Sequence, residues 1–148
     1  MLQTSVERVV LTSSCAAIYG DADECEHAPN NTLTEAIWNN TSSPSHQPYS
    51  YSKTIAEREA WKLADAQMRW SLVVINPPVV LGPTVSGKST SASHDICLQL
   101  GDGTMKSGAP PFEVGMVDVE MSLMLTYELH ISQKRLDDIS YLKRPPHH

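Results

Sequence analysis

The chain has 148 residues, a net charge of −6, and a composition that is 41% hydrophobic, 19% charged and 6% aromatic. This is the balance of one globular domain, or a large piece of one, and not of a disordered chain. Without a basic stripe it has no electrostatic footprint for nucleic acid, and its longest apolar runs, near 72–75 and 79–81, are too short to cross a bilayer.

Residues 7–14, VERVVLTS, predict a short strand, with Val9, Val10 and Leu11 as the continuous apolar run of a strand covered on both faces. The small-residue turn SCAAIYG follows. From Asp21 to Ser45 the chain is acidic and polar and contains Pro29 and Pro44, which predicts a surface loop with one helical turn around Leu33–Trp38. A helix is predicted from about Ser50 to Gln67. Its apolar positions Ile55, Ala56, Ala60, Trp61, Leu63, Ala64 and Met68 recur at three- and four-residue steps, with Lys, Glu and Arg on the other face. SLVVIN, 71–76, reads as a second strand that Pro77-Pro78 must end. Strand, long connection, helix and strand make a crossover unit, so the two strands should be parallel. Beyond a polar loop, a short helix is expected over 95–101, turns over 101–111, a third strand over 112–119 and a helix over 120–130. The basic tail runs from Lys134 to His148.

The N-terminus lacks a basic region leading into an apolar stretch, so no signal peptide is expected. Cys15, Cys25 and Cys97 are odd in number and match neither zinc nor disulfide spacing, and they read as reduced thiols of a cytoplasmic protein. The sequons at Asn30, Asn39 and Asn40 therefore read as polar loop sequence. His147 and His148 read as a frayed tail, with no metal site implied.

Two patterns carry chemistry. In HQPYSYSKTIAE, Tyr49 stands four residues before Lys53, one turn apart on the same helix face. A lysine ammonium beside a phenol favours the phenolate, which suits a general acid or base. Ser14 ends the first strand, and ligands of parallel sheets gather at the carboxyl ends of strands. The second pattern, GPTVSGKST, satisfies the phosphate-loop consensus from Gly82 to Ser89, and Asp118 after an apolar strand could support magnesium. That reading needs a strand running into Gly82 and a helix opening at Lys88. STSASHD is a poor helix start, and Pro77-Pro78 stands just before the loop.

VVLTSS, IYG, QPYSYSKTIAEREAW and INPPVVLGP together resemble the extended short-chain dehydrogenase/reductases of the NAD-dependent epimerase/dehydratase superfamily. The similarity is to the branch with dihydroflavonol reductase, cinnamoyl-CoA reductase and aldehyde reductases. Tyr49, Ser52, Lys53, Ala56, Glu57, Ala60 and Trp61 fill its tyrosine–lysine block, and Asn76, Pro77, Val80, Gly82 and Pro83 fill the next. The resemblance covers roughly residues 6–119. It implies an α/β fold, the C-terminal part of a Rossmann-like doubly wound parallel sheet, over residues 1–119, with a divergent helix and tail over 120–148.

The same resemblance implies hydride transfer to an aldehyde or ketone, with NADP or NAD as cofactor and NADP favoured. Ser14 would hydrogen-bond the substrate carbonyl, with Ser13 as the fallback. Tyr49 would give it a proton, and Lys53 would hold the ribose hydroxyls and keep the tyrosine acidic. Asn76, Pro77 and Val80 would line the nicotinamide end of the cleft. A sugar-nucleotide epimerase or dehydratase uses the same three catalytic residues and is the alternative within the superfamily. A non-catalytic remnant is the alternative outside enzymology. Two departures stand out. The glycine-rich turn that carries the cofactor pyrophosphate is absent, and the sequence after Val119 does not follow the family pattern. The sheet should then expose an apolar edge, which a second copy or a partner chain would cover, and cofactor binding should be weak.

Overall fold

A computed structural model describes residues 6–21, 23–85, 87, 90–108 and 114–131. These fall into two compact units, one running up to Pro77 and resuming at Thr126, the other Pro78–Leu125.

The first unit is built on β1 (Arg8–Thr12) and β2 (Ser71–Ile75), which pair in parallel from Arg8↔Ser71 to Thr12↔Ile75. Parallel pairing follows from the long crossover between them. β2 is buried from Leu72 to Ile75. Alternation along the strand turns Val73 and Ile75 to one face, where they pack with Val10 and Leu129. β1 is less covered than expected, because Val9 is 36% exposed. Among the described residues β1 pairs only with β2, so it is an edge and one flank of its apolar run faces outward.

The polar segment between β1 and the long helix holds the one-turn helix α1 (Glu24–His27) and a 3₁₀ turn, Pro29–Asn31. The turn predicted at Leu33–Trp38 is not helical. α1 instead forms where Glu24 can reach back and accept the backbone N–H groups of Gly20 and Asp21 at 2.9 and 3.0 Å.

The long helix α2 (Pro48–Asp65) opens with Pro at its first position, where the missing N–H is no loss. It packs against β2 and against the 3₁₀ turn Cys15–Ala17. Its inner face differs from the apolar stripe expected. Ile55 and Leu63 are exposed and Met68 lies beyond the helix end, whereas Thr54 and Glu57 are buried. The polar inner residues find partners, Thr54 Oγ1 donating to the Ser50 carbonyl at 2.8 Å, and this lets a polar face pack where periodicity alone would put apolar groups.

In the second unit β3 (Val79–Leu81) pairs in parallel with β4 (Met116–Asp118). Between them lie α3 (Ala92–Gly101) and the turns from Asp102 to Gly108. α4 (Val119–Ile131) follows β4 directly. Its first turn is capped by Asp118 Oδ1, which accepts from the backbone N–H of Glu120 at 2.8 Å. Among the described residues no helix is long and apolar enough to cross a membrane.

Candidate active site

β1 ends at Thr12, but its ladder continues: Ser13 N donates to the Ile75 carbonyl at 2.8 Å and Cys15 N to the Pro77 carbonyl at 3.0 Å. Pro77 can only accept at this position, and it does. This pairing fixes the backbone of Ser13 and Ser14 at the carboxyl end of the sheet.

The two serines are used differently. Ser14 is extended, at φ −163°, and caps the turn Cys15–Ala17, its Oγ accepting from Ala16 N at 3.2 Å. A hydroxyl that accepts here keeps its own hydrogen available to donate. Ser13 is buried, and its Oγ meets no hydrogen-bond partner among the described residues.

Tyr49 and Lys53 lie in the first two turns of α2. Lys53 Nζ stands 5.9 Å from the centre of the Tyr49 ring, and Tyr49 as a residue is 62% exposed. The i, i+4 spacing therefore brings ammonium and phenol together, with the phenol open to a ligand. Ser52 Oγ donates to the Tyr49 carbonyl at 2.7 Å. Just before the helix, Gln47 adopts a left-handed conformation at φ 52°. It is held by Asp21 Oδ1, which accepts from Gln47 Nε2 at 2.7 Å and pairs with His46 Nε2 at 2.9 Å.

Asn76, expected to line the cofactor cleft, has its side-chain nitrogen donating to the Ser14 carbonyl at 3.0 Å and to Glu57 Oε2 at 2.7 Å. Asn76 thus joins the ends of β1 and β2 to α2. Val80 lies in the second unit, in register with Val117. Glu57 is the residue bordering this region whose burial sequence reasoning missed. It was placed with the exposed charges of the helix, yet it is 0% exposed. The available signal was its spacing, four residues beyond Lys53 and eight beyond Tyr49.

The polar loop is tied to this region at two points. Asn39 Nδ2 donates to the Ala16 carbonyl at 2.9 Å, and its Oδ1 accepts from Ser42 N at 3.1 Å. The Arg58 guanidinium lies 5.1 Å over Trp38 and donates to Asn40 Oδ1 at 2.8 Å. Asn39 is only 2% exposed, so its sequon has no room for a glycan in the folded chain. Tyr19, on the turn after Ser14, has its phenol held above its ordinary range, first by burial and then by the Cys15 thiol, 3.8 Å from its oxygen.

The phosphate-loop pattern does not have the local structure it needs. A strand does lead into Gly82, but the next helix among the described residues opens at Ala92, with Ser91 extended before it. Lys88 and Ser89 lie outside the described residues. Gly82 has a separate reason to be glycine: a Cβ there would stand 2.1 Å from Val119 Cγ1. Asp118, the supposed magnesium partner, caps α4.

This is a parallel α/β sheet of the Rossmann-like class, and residues 1–107 match the NAD dependent epimerase/dehydratase family. The chain belongs to that family. It is 37% identical to tetraketide alpha-pyrone reductase 2 of Arabidopsis thaliana, over 80% of this chain and 36% of that protein. It is 31% identical to cinnamoyl-CoA reductase 2 of Medicago truncatula, over 90% of this chain and 39% of that one. The structure is similar to part of Gre2 from Candida albicans in its NADPH complex, with a TM-score of 0.62 and 28% identity over 84% of this chain and 39% of that chain. The chain thus spans well under half the length of the relatives it matches.

Proposed function

We propose that this chain carries the catalytic set of an NAD(P)H-dependent carbonyl reductase, with Ser14, Tyr49 and Lys53 in the central roles. The observation that carries the reading is the exposed Tyr49 phenol with the Lys53 ammonium beside it, on the helix packed against the turn that Ser14 caps. These groups fit the ribose and nicotinamide end of a dinucleotide, because an ammonium and a phenol can both hydrogen-bond ribose hydroxyls. The cofactor would supply hydride to the carbonyl carbon. Ser14 would donate to the carbonyl oxygen, and Tyr49 would deliver a proton to that oxygen, so that C=O becomes CH–OH. Lys53 would favour the charge left on the phenol oxygen. Asn76 and Pro77 would shape the cleft from behind, through the backbone of Ser14 and Cys15.

NADPH is the favoured cofactor, since a relative 30% identical to this chain is the NADPH-dependent methylglyoxal reductase of Saccharomyces cerevisiae. The substrate class is a small aldehyde or ketone. We place the chain in the cytoplasm, where its three free thiols would remain reduced. The outer edge of β1 is the surface at which we place a second copy or a partner chain.

Thermal unfolding in the presence of NADPH, and separately of ATP with magnesium, tests the reading. Stabilisation by NADPH supports the reading, and any shift should be small because the glycine-rich phosphate turn is absent from this chain. Stabilisation by ATP–magnesium alone would replace this reading with the phosphate loop, and no shift with either would leave a non-catalytic chain. In a reductase assay Tyr49→Phe should lower turnover by at least about 100-fold, the usual scale of a lost general acid, with the fold intact because the side chain is exposed. Retained turnover would remove Tyr49 from the mechanism.

A further inference from the structure

On α2, residues 49, 53, 57 and 61 form one row at four-residue spacing. The row begins at the exposed Tyr49, passes Lys53 and the buried Glu57, and ends at the half-buried Trp61. We propose that Glu57 is a positioning residue of this site. Through Asn76, its buried carboxylate sets where the Ser14 peptide stands relative to the helix that bears Tyr49 and Lys53.

Three observations carry this. Glu57 is fully buried, and its two oxygens face different donors: Oε1 is 3.4 Å from Trp61 Nε1 and Oε2 is 2.7 Å from Asn76 Nδ2. The same Asn76 nitrogen donates to the Ser14 carbonyl at 3.0 Å. A carboxylate and a carbonyl offer only acceptors, so together they determine which end of the Asn76 amide is nitrogen. One side chain on α2 therefore dictates a contact on the backbone of the serine two elements away. The energetics point the same way. Burying a carboxylate is unfavourable, and an apolar residue often serves packing as well or better. Helix α2 already carries Ala56, Ala60 and Ala64 around this position. An acid there is better explained by what it orients than by stability.

The catalytic consequence rests on the reductase reading, but the test does not depend on turnover. It uses amide NMR on the full chain as wild type, Glu57→Gln, and the double variant Glu57→Gln with Asn76→Asp. In the wild type the Asn76 side-chain amide protons should exchange slowly with solvent. Fast exchange would overturn the proposal whatever the variants do. Glutamine at 57 has one acceptor and one donor, so it cannot serve both Trp61 and Asn76. The Asn76 side-chain signals and the Ser14–Cys15 backbone signals should shift, and Tm should fall. In the double variant the glutamine can accept from Trp61 and donate to the aspartate, which restores the link between helix and strand and recovers part of the Tm. That aspartate has no hydrogen for the Ser14 carbonyl, so the Ser14–Cys15 signals should stay displaced. A merely structural Glu57 would predict their return to wild-type positions along with Tm, and that result would overturn the proposal. Unmoved Ser14–Cys15 signals in Glu57→Gln would do so equally. Failure of the wild type to reduce any carbonyl with NADPH would sink the reductase reading and leave these resonance tests standing.

Discussion

Ser13 and Ser14 are neighbours, and both are buried, yet their hydroxyls have opposite circumstances. Ser14 caps a turn, while Ser13 has no partner for its oxygen among the described residues. A buried hydroxyl without a hydrogen bond is unfavourable by about 1–3 kcal/mol, so Ser13→Ala should leave stability unchanged or raise it by up to about 1 kcal/mol. Ser14→Ala removes a cap and should lower stability by about 1 kcal/mol. Urea midpoints at constant m distinguish the two. Tyr19 supplies a pH prediction. Its folded-state value lies above the ordinary one of about 10, because burial and the Cys15 thiol disfavour the phenolate. A group raised on folding contributes stability that is fully present below its unfolded value and is lost as pH rises through the folded value. Stability should therefore decline above about pH 10, and a phenolate absorbance titration should show a late step that Tyr19→Phe removes. None of this was readable from residue type. TSS is a strand end in the sequence, and only the ladder to Ile75 and Pro77 decides which hydroxyl is engaged.

At the scale of elements, β1, α2 and β2 were legible because each has a strong period or run and a proline or turn at its end. The parallel pairing of β1 with β2 followed from the crossover rule and is observed. The inner face of α2 was not legible. Hydrophobic spacing pointed to Ile55 and Leu63, but the helix buries Thr54, which bonds back to the Ser50 carbonyl of its own helix, and Glu57, which bonds Asn76. Gly82 belongs to this scale as well. It closes β3 where α4 begins, and Val119 occupies the space that a Cβ would need. Gly82→Ala should destabilise by about 1–3 kcal/mol, as overpacking does, with a fall in Tm. A neutral substitution would show that the contact relaxes freely. As the consensus glycine of a phosphate loop, the same residue would matter for ATP binding; here its predicted effect is on stability.

For the molecule as a whole, the question is what covers its apolar surface. β1 exposes Val9 at one edge, and α4 exposes Met121, Leu123, Met124 and Leu125 at 50–68%. Apolar exposure of this kind, in either unit by itself, marks an association surface or an aggregation liability. Sedimentation velocity should show a mass above the 16.3 kDa of one chain, rising with concentration. Val9→Lys, a charge on the edge strand, should shift the population towards monomer. A monomer at all concentrations would remove the second copy from the proposal.

The sequence by itself determined the family, and it singled out the pair proposed to carry the chemistry. Tyr49 and Lys53 are four apart on one helix, and covalent spacing on a helix is enough to bring them together. The motifs around them are specific in combination, and the match over residues 1–107 bears this out. Tertiary structure alone decided how Ser14 is held, that Asn76 bonds Ser14 and Glu57, and that Glu57 is buried. Those outcomes depend on contacts between segments far apart in the chain, where a donor on one strand meets an acceptor on a helix. Local propensity carries no term for such a meeting, and so the most polar residue of the inner helix face was the one that composition and periodicity placed outside.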